Sequence, residues 1–379
     1  MTKILFIHNT AMWYRRPFFK RLSEIYDVKF VFTHIQVCKD IYGVEISDEI
    51  EGLEGVNYKT LKNYFNFIKP HGIAFGVIEE AMGDYEVLVG GSWDSLAEII
   101  ETSFYFTIAK LRRKPFVIYY GKWDWAEKSL KRKLINPWVK YLVKHSDGIV
   151  TYGTKSKEYF IKLGADPNRV FRAFNTNIID TTVNRKEVED LKNRLKIENK
   201  KKILYVGRLE KRKNADILIK SFYKLKQDHN ETCLVIIGDG ECKNEFQALC
   251  KELNIENDVL FLGMIENKEL PPYYSLCNIF VLPASGEPWG LVLNEAMQFG
   301  KPVIATDGVG AAYDLIEDGE NGFRVPEKDS DALYNAMKKI ISNPELEKKM
   351  GEESKRIIEG FTYETMADGF RKALNYVIK

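Results

Sequence analysis

The chain states one pattern and then restarts it. Short runs rich in Val, Ile and Phe fall at residues 3–7, 28–32, 86–89, 116–120 and 148–152, and again at 202–206, 233–237, 259–262, 279–282 and 302–305. Helix-like stretches separate many of them. Continuous apolar runs alternating with helices are what parallel strands covered on both faces require. The expected fold is α/β: two doubly wound, Rossmann-like domains facing across a cleft, with ligands beyond the carboxyl ends of the strands. The 379 residues suit two domains of ordinary size.

Residues 181–201 are densely charged and poor in large apolar side chains, although Val188, Leu191 and Leu195 are spaced for one short helix. The domain boundary is placed near residue 178, giving domains over 1–178 and 179–360. Met366, Phe370, Leu374 and Ile378 recur at helical spacing, so 361–379 is expected to be a terminal helix that packs back towards the first domain.

Composition excludes some classes. Hydrophobic residues at 45% and charged residues at 29% describe a globular chain with little room for long disorder. A formal net charge of +2 does not call for nucleic acid. Residues 101–150 hold eleven Lys or Arg against four Asp or Glu, which fits an anionic ligand, a membrane surface or simply a solvated charged helix. Within it, residues 128–138 mix basic residues with Leu130, Leu134, Ile135 and Trp138, a composition suited to anionic lipid, although Pro137 is expected to interrupt the helix. The five cysteines (Cys38, Cys233, Cys242, Cys250, Cys277) are odd in number and form no C-x-x-C pair, so neither a disulfide framework nor a zinc site is expected. With no signal-peptide pattern or membrane-span-length apolar run, a cytoplasmic setting is expected, with the inner face of the membrane within reach.

Two motifs carry chemistry. The run at 202–206 leads into Gly207-Arg208-Leu209-Glu210-Lys211-Arg212-Lys213 and a helix from about Ala215. Gly207 permits a close backbone turn, and Arg208 and Lys213 place two cations beside a helix N-terminus, which favours a diphosphate. The same cations would be unremarkable on any surface. The second motif, Ser285 to Met297, follows the run ending near Leu282. Pro288 and Gly290 punctuate a tight loop, and a helix is expected from Leu291, leaving N–H groups free for phosphate oxygens. Glu295 lies about one turn into that helix, where its carboxylate can accept from a vicinal diol such as ribose. Glu287 lies in the loop, placed to meet sugar hydroxyls.

Gly207-Arg208-Leu209 with Lys213, then Glu287 and Glu295, resembles the donor-site signature of family four retaining glycosyltransferases of the GT-B fold. The likeness extends over 200–326, including Gly238-Asp239-Gly240, Gly300 to Ala305 and Asn321-Gly322-Phe323; in the N-terminal half it covers only fold and strand order. It implies an acceptor-binding first domain and a donor-binding second one. It further implies that Arg208 and Lys213 hold the diphosphate and stabilise the leaving group, that Glu287 orients the sugar and that Glu295 binds the ribose. Backbone amides of Gly290, Leu291 and Val292 complete the phosphate site, with Gly238 beside it and Met264 lining the base pocket. The implied donor is a nucleoside diphosphate sugar, with uridine diphosphate the default and guanosine diphosphate mannose next. The implied acceptor is a glycan or a lipid-linked glycan in polysaccharide or glycolipid synthesis. No metal and no cofactor are expected.

The chain departs from the family after residue 120, where a histidine is usual and Gly121-Lys122-Trp123-Asp124 stands instead. Asp124 is the first candidate to replace it catalytically and Lys122 the second, though Asp124 is equally suited to cap a helix. Lys122, with His8, Arg15 and Arg16 in the loop after the first run, is a candidate for acceptor binding. His8 is also the kind of residue that serves structure. The Asp329-Ser330-Asp331 triplet precedes a helical pattern and is expected to be a cap rather than a metal motif. Alternatives on the same fold are a sugar-nucleotide epimerase, a phosphorylase or a non-catalytic sugar-nucleotide-binding protein. A nicotinamide oxidoreductase is excluded by Asn9-Thr10-Ala11, where a glycine-rich loop would be needed.

Overall fold

A computed structural model of the chain describes residues 1–35, 50–65, 72–123 and 130–378. The chain divides into two units, Met1–Thr176 with Thr362–Lys379, and Asn177–Phe361. Each is a parallel sheet with helices on both faces.

The first unit contains β1 (Lys3–His8), β2 (Asp27–Phe32), β3 (Tyr58–Thr60), β4 (Val87–Gly90), β5 (Phe116–Tyr120), β6 (Gly148–Thr151) and β7 (Val170–Arg172). They lie in the order β3-β2-β1-β4-β5-β6-β7, every neighbouring pair parallel. All five residues of β5 are buried, which is why this strand reads as an unbroken apolar run. The terminal helix Tyr363–Val377 belongs to this unit. Its N-terminus is fixed by a capping box between Thr362 and Thr365, and it buries Met366, Phe370 and Leu374. The Phe370 ring lies 4.9 Å from Phe18 and 4.7 Å from Tyr119, within an aromatic cluster that includes Phe6, Phe19 and Phe30.

The second unit contains β8 (Lys201–Val206), β9 (Thr232–Ile237), β10 (Val259–Phe261), β11 (Ile279–Leu282), β12 (Val303–Thr306) and β13 (Gly322–Val325), ordered β10-β9-β8-β11-β12-β13 and all parallel. The chain leaves β8 towards β9 on one side and later fills the other side with β11. The gap between the carboxyl ends of β8 and β11 is therefore the topological switch point, where open α/β sheets bind ligands. The two chemical motifs follow these two strands.

One sequence expectation is corrected, and three strands are added to those the sequence suggests. Helix Leu130–His145 runs through Pro137 without a break. A proline in a helix interior forfeits a hydrogen bond and costs about 3 kcal/mol, but Val139, Leu142 and Val143 are completely buried in the core and hold the helix in place. Strands β3, β7 and β13 carry no apolar run; they are three or four residues long, and β3, β7 and β13 each occupy a sheet edge. Asp329 caps helix Ser330–Ile341 by accepting from the backbone N–H groups of Asp331 and Ala332. Among the described residues no helix is long and apolar enough to cross a membrane.

Candidate active site

The loops after β8, β9 and β10 are laced together by backbone. Gly207 N–H donates to Ile237 O at 2.9 Å, Leu209 N–H to Asp239 O at 2.9 Å, and Gly238 N–H to Gly263 O at 2.8 Å. A β-carbon on Gly238, whose φ is +137°, would lie 2.0 Å from the Gly207 carbonyl oxygen. Only glycine lets these loops approach so closely. Met264 follows Gly263 and is largely exposed.

Asn214 joins this loop set to the second motif. It sits in the left-handed region at φ 50°, between the 3-10 turn Lys211–Lys213 and helix Ala215–Asp228. Its side-chain amide donates to Pro283 O at 2.9 Å and to Ser285 Oγ at 2.7 Å, while Ser285 N–H donates to Arg212 O at 2.7 Å. Replacing Asn214 by Ala removes both side-chain bonds and a residue type that tolerates this backbone, so a loss of about 1–3 kcal/mol is expected. Thermal denaturation tests this: the melting temperature should fall by several degrees, and an unchanged value would deny the side chain this stitching role.

The loop carrying Glu287 is pinned on its other side. Glu287 N–H donates to Gly308 O and Gly310 N–H to Glu287 O, each at 2.9 Å. Gly290 then takes φ 104° and starts helix Leu291–Gln298, with Leu293 N–H bonded back to Gly290 O. A helix start leaves its first N–H groups, here those of Leu291 and Val292, without intrahelical acceptors, and its dipole favours an anion.

Charge is concentrated here. Lys213 Nζ donates to the Glu287 carboxylate, with both side chains mostly buried. Arg212 lies 3.6 Å from the same carboxylate and 3.1 Å from Glu210, which in turn meets Arg208 at 2.5 Å. Burial pushes the Glu287 carboxyl upward, but Lys213, Arg212 and the Trp289 backbone N–H outweigh it and leave the group below its ordinary value. Glu287 is thus held ionised.

Glu295, on the helix, has both oxygens engaged: Oε1 accepts from Asn177 Nδ2 at 2.6 Å and Oε2 from the Tyr274 hydroxyl at 2.5 Å. Each carboxylate oxygen retains a further acceptor position. Burial raises its pKa, against the hydrogen bonds from Tyr274 and Asn177 that favour the ionised form. Gln298, one turn later, accepts from Ile179 N–H and donates to Asn177 O, holding the segment that presents Asn177. Asn177 and Tyr274 carry no sequence signal of their own, Asn214 carries a weak one, and Glu210 and Arg212 are marked only by lying within the first motif.

The opposite shifts predict a pH dependence. On acidification Glu295 is protonated first, above its ordinary 4.5, while Glu287 stays ionised below 4.5. Their stability contributions have opposite signs: that of Glu295 is full below 4.5 and is lost as pH rises through its raised pKa; that of Glu287 is full above 4.5 and is lost as pH falls through its lowered one. Nucleotide affinity, measured from about pH 7 down to about pH 4, should weaken more steeply in the wild type than in Glu295→Gln. Parallel curves would remove Glu295 from the binding site.

The first unit places its candidates around the ends of β1, β5 and β6. Arg15 is buried, donating to His8 Nε2 at 2.9 Å, to the Tyr119 hydroxyl at 3.2 Å and to the Tyr152 hydroxyl. Because a guanidinium only donates, His8 Nε2 accepts, and the imidazole proton sits on Nδ1, 2.8 Å from Thr10 O. Burial and the Arg15 charge push the His8 pKa down to about 3, so the ring is neutral. Arg16 donates to the carbonyls of Ala11 and Glu51, and buried Lys122 to Asp94 at 2.6 Å. Asp124 lies outside the described residues. Among the described residues no group of three or more His, Cys, Asp or Glu is placed to hold a metal.

Residues 187–357 match the family described as glycosyl transferases group 1. The matched segment lies within the C-terminal unit, Asn177–Phe361. An uncharacterized glycosyltransferase of Haemophilus influenzae is 27% identical over 350 residues, covering 92% of this chain and 91% of that one. An N-acetylgalactosaminyltransferase of Campylobacter jejuni, named for a diphospho-undecaprenol-linked acceptor, is 34% identical over 176 residues, or 46% of each chain. An uncharacterized glycosyltransferase of Methanocaldococcus jannaschii is 33% identical over 146 residues, and the alignment spans 37% of that relative's length. Among solved structures, HepE from Anabaena in complex with UDP aligns with a TM-score of 0.79 over 99% of this chain and 100% of that one, at 17% identity. The fold is that of two Rossmann-like α/β domains of the GT-B glycosyltransferases.

Proposed function

We propose that the whole chain is a retaining glycosyltransferase that moves a hexose-type sugar from a nucleoside diphosphate sugar to a glycan or lipid-linked acceptor. The observation that carries this reading is the meeting of Lys213 with Glu287 beside the start of helix Leu291–Gln298, at the switch point of the second sheet.

Breaking the bond between an anomeric carbon and phosphate builds negative charge on the departing diphosphate. Arg208, Lys213 and the first N–H groups of the helix stabilise that charge. Lys213 also holds Glu287 ionised to accept from the sugar hydroxyls. In this reading Glu295 accepts from the ribose diol, Gly238 lies beside the phosphates and Met264 lines the base pocket. His8, Arg15, Arg16 and Lys122 are the acceptor-side residues of this reading, and Asp124 joins Arg208, Lys213 and Glu287 as a catalytic candidate. Arg16, bonded to the carbonyls of Ala11 and Glu51, orders the loop after β1.

UDP-sugars are the first donors to try, supported by the UDP bound to HepE from Anabaena, with GDP-mannose next. A lipid-linked acceptor is supported by the name of the Campylobacter jejuni relative. Exposed Trp138 and Tyr141 stack at 5.1 Å on a helix that also carries Lys140 and Lys144, a surface suited to peripheral contact with anionic lipid at the cytoplasmic face.

The test incubates the enzyme with UDP- and GDP-sugars, with and without glycan and lipid-linked acceptors. Acceptor-dependent release of nucleoside diphosphate is the expected result, with anomeric configuration retained. Interconversion of the donor sugar without acceptor would make the chain an epimerase; tight binding with no turnover on any acceptor would make it a non-catalytic binder.

A further inference from the structure

The cations that the donor reading assigns to the diphosphate are not idle. Arg208, Arg212 and Lys213 form one chain of contacts with Glu210 and Glu287: Arg208 to Glu210 at 2.5 Å, Glu210 to Arg212 at 3.1 Å, Arg212 to Glu287 at 3.6 Å, and Glu287 to Lys213. Three cations against two carboxylates leave one formal positive charge.

Glu287 has a use in that reading, as the acceptor for sugar hydroxyls. Glu210 has none. Its carboxylate is only 18% exposed, and its ion-pair partners are the two arginines. It sits two residues after Arg208 and two before Arg212, so the same short loop carries an anion and the cations it neutralises. A tethered anion competes at high effective concentration. It yields only to a ligand that makes more charge-assisted bonds than one carboxylate can.

We propose that Glu210 is the resting counter-anion of the donor site, bound to Arg208 and Arg212 when the site is empty and displaced from them by the incoming diphosphate. The exchange weakens the grip on the diphosphate product and keeps singly charged anions from occupying the cations. It also spares the site an uncompensated cluster of positive charge between turnovers.

The proposal rests on the donor-site reading, and inorganic pyrophosphate tests it without any assumption about the base or the sugar. Its affinity is measured by calorimetry for the wild type, Glu210→Gln, Arg208→Ala and the double variant, at low and high salt. Glu210→Gln should bind pyrophosphate roughly three- to ten-fold tighter, the scale of one charge-assisted hydrogen bond discounted for partial exposure. The gain should shrink with salt, and shrink again when Arg208 is also replaced, because Arg212 is then the one arginine left for Glu210 to release. In turnover assays the nucleoside diphosphate product should inhibit Glu210→Gln correspondingly more strongly. Equal or weaker binding by Glu210→Gln overturns the proposal and makes Glu210 a residue that positions the arginines; a gain undiminished by loss of Arg208 also overturns it, since it would then be a general field effect. If the wild type binds neither pyrophosphate nor any nucleoside diphosphate, the donor-site reading fails and this proposal with it. Binding by the wild type without the Glu210→Gln gain defeats the proposal alone.

Discussion

Lys213→Met should lower kcat by about two to three orders of magnitude, the usual effect of removing one charge-stabilising donor from a site where an oxyanion develops. Methionine keeps most of the packing of the lysine stem and removes only the ammonium. Two consequences follow from the one deletion. The leaving diphosphate loses a fixed cation, and Glu287 loses its closest counter-charge. Burial then acts on Glu287 with Lys213, the largest opposing influence, removed, so its pKa should rise. The variant's residual activity should therefore fall off at higher pH on the acid side than that of the wild type. Single-turnover release of nucleoside diphosphate separates chemistry from product release. Wild-type kcat in this variant would deny Lys213 a part in leaving-group stabilisation.

The second large effect is expected at Glu295. Replacing its carboxylate by the amide of Gln leaves the volume unchanged and gives the Tyr274 hydroxyl a carbonyl to donate to, so the fold should persist. The ribose diol, however, loses a charged acceptor. Hydrogen bonds to charged groups contribute about 1.5–3 kcal/mol each, so affinity for nucleoside diphosphates should drop about ten- to a hundred-fold. A 2′-deoxynucleotide supplies the cross-check. It should bind the wild type more weakly than the ribonucleotide does, and Glu295→Gln should bind the two alike, because the groups removed are partners in one interaction. Independent, additive losses would place the ribose elsewhere.

How much of this the sequence discloses depends on the range of the interaction. The α/β class is legible because β5 and β9 are buried along their whole length and so are written as unbroken apolar runs. Three of the four edge strands are not: β7 and β13 carry Arg172 and Arg324, and β3 carries Lys59, since an edge exposes side chains to water, whereas the fourth, β10, keeps an apolar run. Glu287 and Glu295 are legible as candidates because a strand, a glycine-marked turn and a helix start surround them. Their partners are not, because Asn177 reaches Glu295 across 118 positions and Tyr274 across 21. Asn214 leaves only the weak trace that asparagine tolerates a left-handed backbone. Arg15 shows a burial that the sequence hides. In sequence it belongs to an exposed-looking aromatic and basic loop, yet it is buried because Tyr119 and Tyr152, from the ends of two distant strands, close around it.

The central claim is that the switch point of the second sheet is a nucleoside diphosphate site. It is tested most directly by thermal denaturation of the wild type and Glu295→Gln against a panel of nucleoside mono- and diphosphates and their sugars, because a ligand that binds only the folded chain raises its melting temperature. One base, as its diphosphate or diphosphate sugar, should stabilise the wild type selectively, and Glu295→Gln should lose most of that shift. A wild type that is folded yet shifted by no nucleotide, or a shift left intact in Glu295→Gln, would contradict the account.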